Sequence, residues 1–283
     1  MVPSQADKAE RFRALHARPG GFVIPNPWDA GTARMLAGLG YEALATTSGG
    51  FAITLGKRDG AVTREEALAH ARALVRATDL PVSADMENGY GDAPEAVADT
   101  IRRAAAAGLV GCSIEDATGD PQRPIYAKSH AVERIQAAVE AARSLPFAFT
   151  LTARAENFLR GQPDLDDTID RLQAFAAAGA DVLYAPSLPD LAAIRTVCAA
   201  VPRPLNVMVG PKNQCFPVGA LVEAGFRRIS LGPTFFRAAM TAFLRAAREV
   251  KEQGTFTFAD DTVTFRELNA LMNARNPEGA DGA

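Results

Sequence analysis

The chain has 283 residues, 48% of them hydrophobic, and a formal net charge of -3 at pH 7. This apolar fraction supports a large buried core. Because acids and bases are interspersed, no basic face suggests nucleic acid and no polybasic stretch suggests an anionic membrane. Chemistry on small molecules is therefore the expected class of function.

Residues 1–20 predict a charged amphipathic helix rather than a signal peptide, and no apolar run reaches membrane-spanning length. We therefore expect a cytoplasmic protein. The three cysteines, Cys112, Cys198 and Cys215, are scattered without paired metal-ligand spacing. They predict buried free thiols, with neither disulfides nor a zinc site.

Short β-forming runs alternate with alanine-rich amphipathic patterns along the chain. The eight predicted strands cover residues 22–24, 43–47, 81–84, 110–114, 149–152, 181–184, 205–208 and 228–231. Strands that alternate with helices imply parallel βαβ units. Eight units favour a closed (β/α)8 TIM barrel of the α/β class, and periodicity leaves an open doubly wound sheet as the alternative.

Small-residue stops such as Ala107-Gly108 and Ala224-Gly225 end several predicted helices just before the next strand. The predicted organisation is an N-terminal helix over residues 1–20 that packs on the barrel, a catalytic barrel over residues 21–254 and a C-terminal extension over residues 255–283. The polar, glycine-containing end of this extension predicts disorder.

Two carboxylates stand where the third predicted strand runs into a glycine-rich turn, in Ser83-Ala84-Asp85-Met86-Glu87-Asn88-Gly89-Tyr90-Gly91. On an extended backbone, Asp85 and Glu87 would point to the same face. Hard divalent cations favour clustered oxygen ligands, so the segment predicts the rim of a metal site.

In a barrel, functional groups belong at the C-terminal ends of the strands. Polar groups also follow the second, fourth and fifth predicted strands, at Ser48-Gly49-Gly50, Asp59, Glu115 and Arg154. A divalent cation would relieve the repulsion among four converging carboxylates, which are Asp59, Asp85, Glu87 and Glu115. Since magnesium takes only one or two protein carboxylates directly, Asp85 is the candidate direct ligand and the other acids would hold waters.

Two of these features have a second interpretation. The Ser48-Gly49-Gly50 run would either present backbone N–H groups to a carboxylate or form a plain tight turn. Arg154 would either bind a substrate carboxylate with its planar fork or pair with the neighbouring acids. The three histidines, His16, His70 and His130, are expected to be structural or solvated.

At these residues the chain resembles the isocitrate lyase/phosphoenolpyruvate mutase superfamily over nearly all of its length. The matching segments are residues 26–31, 47–50, 56–59, 85–91, 113–116 and 153–154. The resemblance implies a barrel whose eighth helix is exchanged between the subunits of a homodimer or homotetramer. It also implies Mg²⁺, with Mn²⁺ as a substitute, bound beneath a small-molecule 2-oxo acid.

The resemblance further implies a role for each site residue. Asp85 matches the direct metal ligand, and Asp59, Glu87 and Glu115 match the water-mediated metal shell. The implied catalytic residues are Asp59, Glu115 and Arg154. The implied substrate-binding residues are Ser48, Gly49, Gly50, Asp85 and Arg154, while Arg123 of the gating loop would either reach the substrate or lie on the surface.

The segment after Glu115-Asp116, the gating loop of this superfamily, departs from the better-known patterns. Residues 117–126 lack the Lys-[Lys/Arg]-Cys-Gly-His motif of isocitrate and methylisocitrate lyases, and Pro186 replaces the histidine of phosphonate-cleaving members. The predicted enzyme is therefore a Mg-dependent lyase or decarboxylase that cleaves a C–C bond in a small 2-oxo or 2-hydroxy dicarboxylic acid through a pyruvate-like enolate. P–C bond chemistry on phosphonopyruvate or phosphoenolpyruvate is one alternative, and non-catalytic binding of a 2-oxo acid is another.

Overall fold

A computed structural model describes residues 2–210 and 215–273 and contains one parallel eight-stranded sheet. The strands are β1 (Phe22–Ile24), β2 (Leu44–Ala45), β3 (Val82–Asp85), β4 (Gly111–Glu115), β5 (Thr150–Arg154), β6 (Val182–Tyr184), β7 (Leu205–Met208) and β8 (Arg228–Ser230). They neighbour one another in the order β1-β8-β7-β6-β5-β4-β3-β2. The Ala45 N–H donates to the Pro25 carbonyl at 3.0 Å, so the two ends of the sheet meet in a nearly closed barrel. The predicted (β/α)8 barrel is confirmed.

Helices alternate with these strands. They are α1 (Gln5–Ala17), α2 (Ala30–Gly38), α3 (Ser48–Thr54), α4 (Arg64–Ala77), α5 (Pro94–Ala106), α6 (Lys128–Arg143), α7 (Leu165–Ala177), α8 (Leu191–Ala200), α9 (Val218–Glu223), α10 (Thr234–Gln253) and α11 (Phe265–Asn273), with a 3-10 turn at Thr257–Asp261. The Thr63 hydroxyl caps α4 by accepting from the Glu66 N–H, and the Thr63 N–H donates to the Glu66 carboxylate at 2.8 Å. The predicted stop at Gly108 has φ +94°, and a Cβ there would lie 2.7 Å from Val75 Cγ1, so this turn requires glycine.

The N-terminal ends of the strands, called the lower end here, are covered by α1. Phe12 of α1 is fully buried, and its ring lies edge-on to that of Phe22 at 6.5 Å. Burying a side chain of this size stabilises the fold by about 2–3 kcal/mol. The His16 ring packs 4.7 Å from Phe12, and its Nδ1 lies 2.8 Å from the Phe12 carbonyl oxygen. The predicted N-terminal helix thus packs on the barrel through an aromatic face.

The last described segment contains a helix that the sequence did not predict. α10 ends at Gly254, which has φ +68°, and α11 then packs against α2. Residues 274–283, whose end was predicted to be disordered, lie outside the described residues. Over residues 2–210 and 215–273, no helix combines the length and apolar character needed to cross a membrane. All three cysteines are free, but only Cys112 is fully buried and Cys215 is exposed, so the prediction of buried thiols is wrong for Cys215.

Candidate active site

The C-terminal ends of the strands, called the upper end here, bring acids and arginines together. β3 ends at Asp85, β4 at Glu115 and β5 at Arg154. The parallel register pairs Asp85 with Ser113 and Glu115 with Arg154. Neighbouring parallel strands end at the same edge of a barrel, so residues far apart in sequence become direct neighbours.

Arg154 lies at the centre of this cluster. Its Nη1 is 3.1 Å from Asp85 Oδ1, and its Nη2 is 3.1 Å from Glu115 Oε2 and 2.8 Å from Glu156 Oε1. The side chain is nearly fully buried, with its guanidinium carbon 4.9 Å from the centre of the Tyr184 ring. Burial opposes the guanidinium charge, but the three acids keep the pKa of Arg154 well above its ordinary value. The sequence left two interpretations of Arg154, and the ion pairs with the neighbouring acids are the one present in the structure.

Asp85 is held from both sides by hydrogen-bond donors. Ser48 Oγ donates to Asp85 Oδ2 at 3.0 Å, and Ser113 Oγ lies 3.4 Å from Oδ1. The Asp85 N–H donates to Thr46 Oγ1 at 2.9 Å, which connects β3 to the end of β2. Asp85 therefore has a defined orientation toward the mouth of the barrel.

Glu87 reaches the cluster by a different backbone path from the one expected. Its φ is +47°, in the left-handed region, so the extended alternation stops at the end of β3 and cannot explain its position. Its Oε1 is buried and has no hydrogen-bond partner among the described residues. Burial, followed by repulsion from Asp85 and Asp59, raises the pKa of Glu87 to about 7. The two acids still lie together, because the Glu87 N–H donates to Asp85 Oδ1 at 3.2 Å.

Arg134 of α6 holds the loop that carries Glu87. Its guanidinium donates to the main-chain carbonyls of Asn88 and, at 3.0 Å, of Gly91, and also bonds the Glu115 carbonyl at 3.3 Å. Sequence reasoning missed this residue. A buried arginine on a predicted amphipathic helix carries no local signal of its partners.

The Ser48-Gly49-Gly50 run forms the first turn of α3 and not a tight turn, which corrects that interpretation. Thr47 is the N-cap, and its hydroxyl accepts from the Gly50 N–H at 3.3 Å, so that donor is already used. A Cβ at Gly49 would lie 3.1 Å from Asp59 Oδ2. Glycine there allows the exposed Asp59 to lie close to the backbone of Gly49, at the edge of the cluster.

Two charged residues of the loop after β5 complete the cluster, and sequence reasoning missed both. Glu156 is fully buried against Arg154. Arg160 is 40% exposed and contacts Glu115 Oε1 at 3.0 Å and Glu156 Oε2 at 3.5 Å. Burial raises the pKa of Glu115, and Arg154 opposes that rise. Their position in the loop after a barrel strand is the signal that points to both residues.

The remaining predicted residues lie apart from the acids. Arg123 is 82% exposed, and its salt-bridge partner in the described part of the chain is Asp120 of its own loop. That loop is a small hairpin closed by an antiparallel bridge between Ala117 and Ile125. The histidine rings contact main-chain carbonyl oxygens, with His16 on Phe12, His70 on Trp28 and His130 on Asp92.

The donor set suits a hard divalent cation. Five carboxyl groups, from Asp59, Asp85, Glu87, Glu115 and Glu156, accompany two guanidinium groups, from Arg154 and Arg160. A cavity of about 10 Å³ between Ser48, Asp85 and Glu87 has room for one water-sized particle. In the described residues, no three His, Cys, Asp or Glu side chains are placed to chelate a metal together. This arrangement fits a cation that takes one carboxylate directly and keeps its waters.

Comparison with known proteins gives the family. The family model for phosphoenolpyruvate phosphomutase matches residues 12–251. The crystal structure of a protein described as a lyase/mutase from Burkholderia cenocepacia J2315 is 56% identical, with a TM-score of 0.93, and the match covers 96% of this chain and 98% of that one. This chain therefore belongs to the phosphoenolpyruvate phosphomutase family, within the isocitrate lyase/phosphoenolpyruvate mutase superfamily.

The names of two relatives indicate the kind of chemistry. The 2-methylisocitrate lyase of Halalkalibacterium halodurans is 29% identical over 98% of this chain and 94% of its own length. The 2,3-dimethylmalate lyase of Eubacterium barkeri is 30% identical over 93% of each chain. Both names describe C–C lyases, which confirms the expected enzyme class and leaves the exact reaction open.

Proposed function

We propose that this protein is a Mg²⁺-dependent enzyme that cleaves a C–C bond in a small 2-oxo or 2-hydroxy dicarboxylic acid, by lysis or by decarboxylation. The observation that carries the proposal is the contact of Asp85 and Glu115 with Arg154 at the upper end of the barrel. Beside them lies Glu87 Oε1, which has no hydrogen-bond partner in the part of the chain that the structure describes. The names of the two lyase relatives support the substrate class.

The metal would be held by Asp85, with Asp59, Glu87 and Glu115 holding its waters. When bound, a divalent cation supplies positive charge that stabilises the oxyanion of a pyruvate-like enolate. Decarboxylation or C–C cleavage needs such an electron sink. The absence of cysteine and histidine from residues 117–126 is therefore compatible with either reaction.

The arginines would bind the two carboxylates of the substrate. Arg154 presents Nη1 toward Asp85, and an incoming carboxylate competes with Asp85 for that donor. Arg160 is half-exposed at the rim, so a second carboxylate reaches it without entering the core. Ser48, Gly49 and Gly50 lie on the opposite side of Asp85, where the Ser48 hydroxyl can donate to a substrate oxygen.

The proposal is tested with a panel of oxaloacetate, isocitrate, methylisocitrate, 2,3-dimethylmalate and phosphonopyruvate, each with Mg²⁺ and with a chelator. We expect C–C cleavage of one acid, lost on chelation. Turnover of phosphonopyruvate alone would favour P–C chemistry. Oxalate binding without turnover of any acid would favour a binding protein.

Asp85→Ala tests the metal assignment. We expect loss of Mg²⁺-dependent turnover and of oxalate binding, because among the described residues no other acid is both aligned by Ser48 and placed beside Glu87. Asp166→Ala, which removes an exposed acid from the first turn of α7, is the matched control and should retain both. Wild-type turnover in Asp85→Ala would exclude Asp85 as the metal ligand.

We also propose that α10 is exchanged with a second copy of the chain, in a homodimer or homotetramer. On this helix Phe243, Leu244 and Val250 are 62%, 47% and 37% exposed. Phe243 and Val250 are seven residues apart and share one face, so an apolar stripe lies uncovered. Phe236 anchors the start of α10 against Trp28, with ring centres 5.3 Å apart.

Light scattering on purified protein tests this arrangement. We expect a dimer or tetramer for the wild type and a smaller species for Phe243→Asp, since a charge on the apolar face cannot be buried without a partner. Arg248→Ala, on an exposed position of the same helix, should retain the assembly. A wild-type monomer at micromolar concentration would contradict the proposal.

A further inference from the structure

The lower end of the barrel contains a cavity of about 500 Å³, separate from the acid cluster. It lies between the end of α1, the end of α6, the first residues of β5 and β6 and the segments that precede β5, β6 and β7. Its residues include none of the upper acids or of Arg154 and Arg160. Volumes of roughly 300–1,000 Å³ are typical of small-molecule sites.

The wall of this cavity is apolar and partly aromatic. Phe147 and Phe149 lie on one side, with ring centres 6.4 Å apart, and Ala17 and Pro204 line other parts of the wall. The His16 ring also lines the cavity. Burial, with repulsion from Arg228, lowers the pKa of His16 to about 3, so the ring stays neutral at pH 7 and is part of the uncharged wall.

The charged residues of the cavity are mainly positive. Arg13, Arg143 and Arg203 line it together with one acid, Asp181. Arg143 is held by Asp181 at 2.6 Å, and Arg13 pairs with the exposed Glu10 at 2.7 Å. Arg203 is exposed and has no carboxylate within salt-bridge distance in residues 2–210 and 215–273. An apolar wall with an uncompensated guanidinium at its edge suits an anion that carries an apolar body.

We propose that this lower cavity binds a small organic acid, with its apolar body against Phe147 and Phe149 and its carboxylate on Arg203. Arg13, which pairs with Glu10, also lies close enough to Asp181 to be stabilised by its charge. The Asp181 carboxylate accepts the Leu151 N–H at 2.8 Å and is thereby held on the sheet, away from a ligand on Arg203. The bound acid would be separate from the substrate, because the upper and lower ends share no lining residue.

Fluorine NMR with 4-(trifluoromethyl)benzoate tests the site, with 4-(trifluoromethyl)benzyl alcohol as the uncharged analogue. We expect saturable binding of the benzoate and about tenfold weaker binding of the alcohol, the ratio expected for one charge-assisted pair. Arg203→Gln should weaken the benzoate about tenfold and leave the alcohol unchanged. Arg195→Gln, on an exposed face of α8 outside the cavity, is the matched control and should change neither.

Two further variants locate the binding. Ala17→Trp places a large ring in the cavity from the exposed end of α1 and should abolish binding of both probes. Asp85→Ala should leave benzoate binding unchanged, whereas a probe held at the upper end would respond to it. The proposal is overturned by equal affinity for benzoate and alcohol, by unchanged binding in Ala17→Trp and Arg203→Gln, or by no saturable binding at millimolar probe.

Discussion

At the upper end of the barrel, Arg154 is surrounded by Asp85, Glu115 and Glu156, whereas at the lower end Arg228 bonds to uncharged groups. Arg228 donates to Asn206 Oδ1 at 2.8 Å and to Thr152 Oγ1 at 3.0 Å. Burial lowers the pKa of Arg228 to about 10 and that of His16 to about 3. The lower end thus contains a buried arginine, Arg228, that pairs with no acid in residues 2–210 and 215–273, and a histidine kept neutral.

This difference between the two ends shows that the upper end has the features of a reactive site, whereas Arg228 and His16 at the lower end belong to the stabilising core. The upper end concentrates negative charge beyond what its two arginines balance, and Glu87 adopts a strained left-handed backbone there. Such an arrangement is destabilising unless a ligand or cation completes it, which is typical of a functional site. The lower end contributes packing, in agreement with the general division between the two faces of TIM barrels.

Arg154→Met should have the largest effect. It leaves the half-buried Asp85 and the buried Glu115 and Glu156 without their shared cation, so the free energy of unfolding at pH 7 should fall by about 3–5 kcal/mol, measured by urea denaturation. The loss should shrink at lower pH, because burial already raises the pKa of Glu115 and Arg154 no longer opposes that rise, so Glu115 binds a proton more strongly in the folded state than in the unfolded state. Arg154→Lys keeps the charge and should lose less. Equal stability of wild type and Arg154→Met would show that the ion pairs make no net contribution.

His16→Phe tests the lower end, where the buried titratable group is a neutral histidine and not a cluster of acids. The pKa of His16 is about 3 in the folded protein, below the ordinary 6.5, so the unfolded chain binds a proton that the folded chain excludes. Stability from this group is complete above pH 6.5 and is lost as pH falls, by about 2.5 kcal/mol between pH 6.5 and pH 4.5. His16→Phe should lack that part of the pH dependence in urea denaturation. Parallel pH profiles for the two proteins would contradict a neutral buried His16.

Arg160→Met should have the smallest effect on the fold and a visible effect on binding. Arg160 is 40% exposed, and its partners Glu115 and Glu156 also pair with Arg154, so the free energy of unfolding should change by less than about 1 kcal/mol. KM for the substrate found by the panel should rise about tenfold, the loss of one charge-assisted carboxylate contact, with kcat little changed. Arg123→Ala, an exposed arginine in the neighbouring loop, is the control and should leave KM unchanged. A fall in kcat with unchanged KM would assign Arg160 a role in the chemical step instead.

The elements of the fold were largely predictable because they depend on local patterns. All eight strands appear near their predicted positions, and the stop at Gly108 follows from a left-handed φ that glycine adopts without strain. Of the two interpretations of Ser48-Gly49-Gly50, the plain tight turn is wrong, because capping by Thr47 makes the run the first turn of α3, while its role in substrate binding stays a prediction. α11 was missed because its stability depends on packing against α2, a contact between distant parts of the chain.

For the site, local patterns predict which charged residues stand at strand ends, since Asp85, Glu115 and Arg154 each terminate a β-forming run. Which of them are in contact depends on the three-dimensional fold. These contacts join residues from different strands, loops and helices. Arg154 pairs with Asp85, Arg160 contacts Glu115, and Arg134 bonds the loop that carries Glu87. Barrel closure sets those contacts, and it arises from the packing of the whole sheet and its helices, which no single segment encodes.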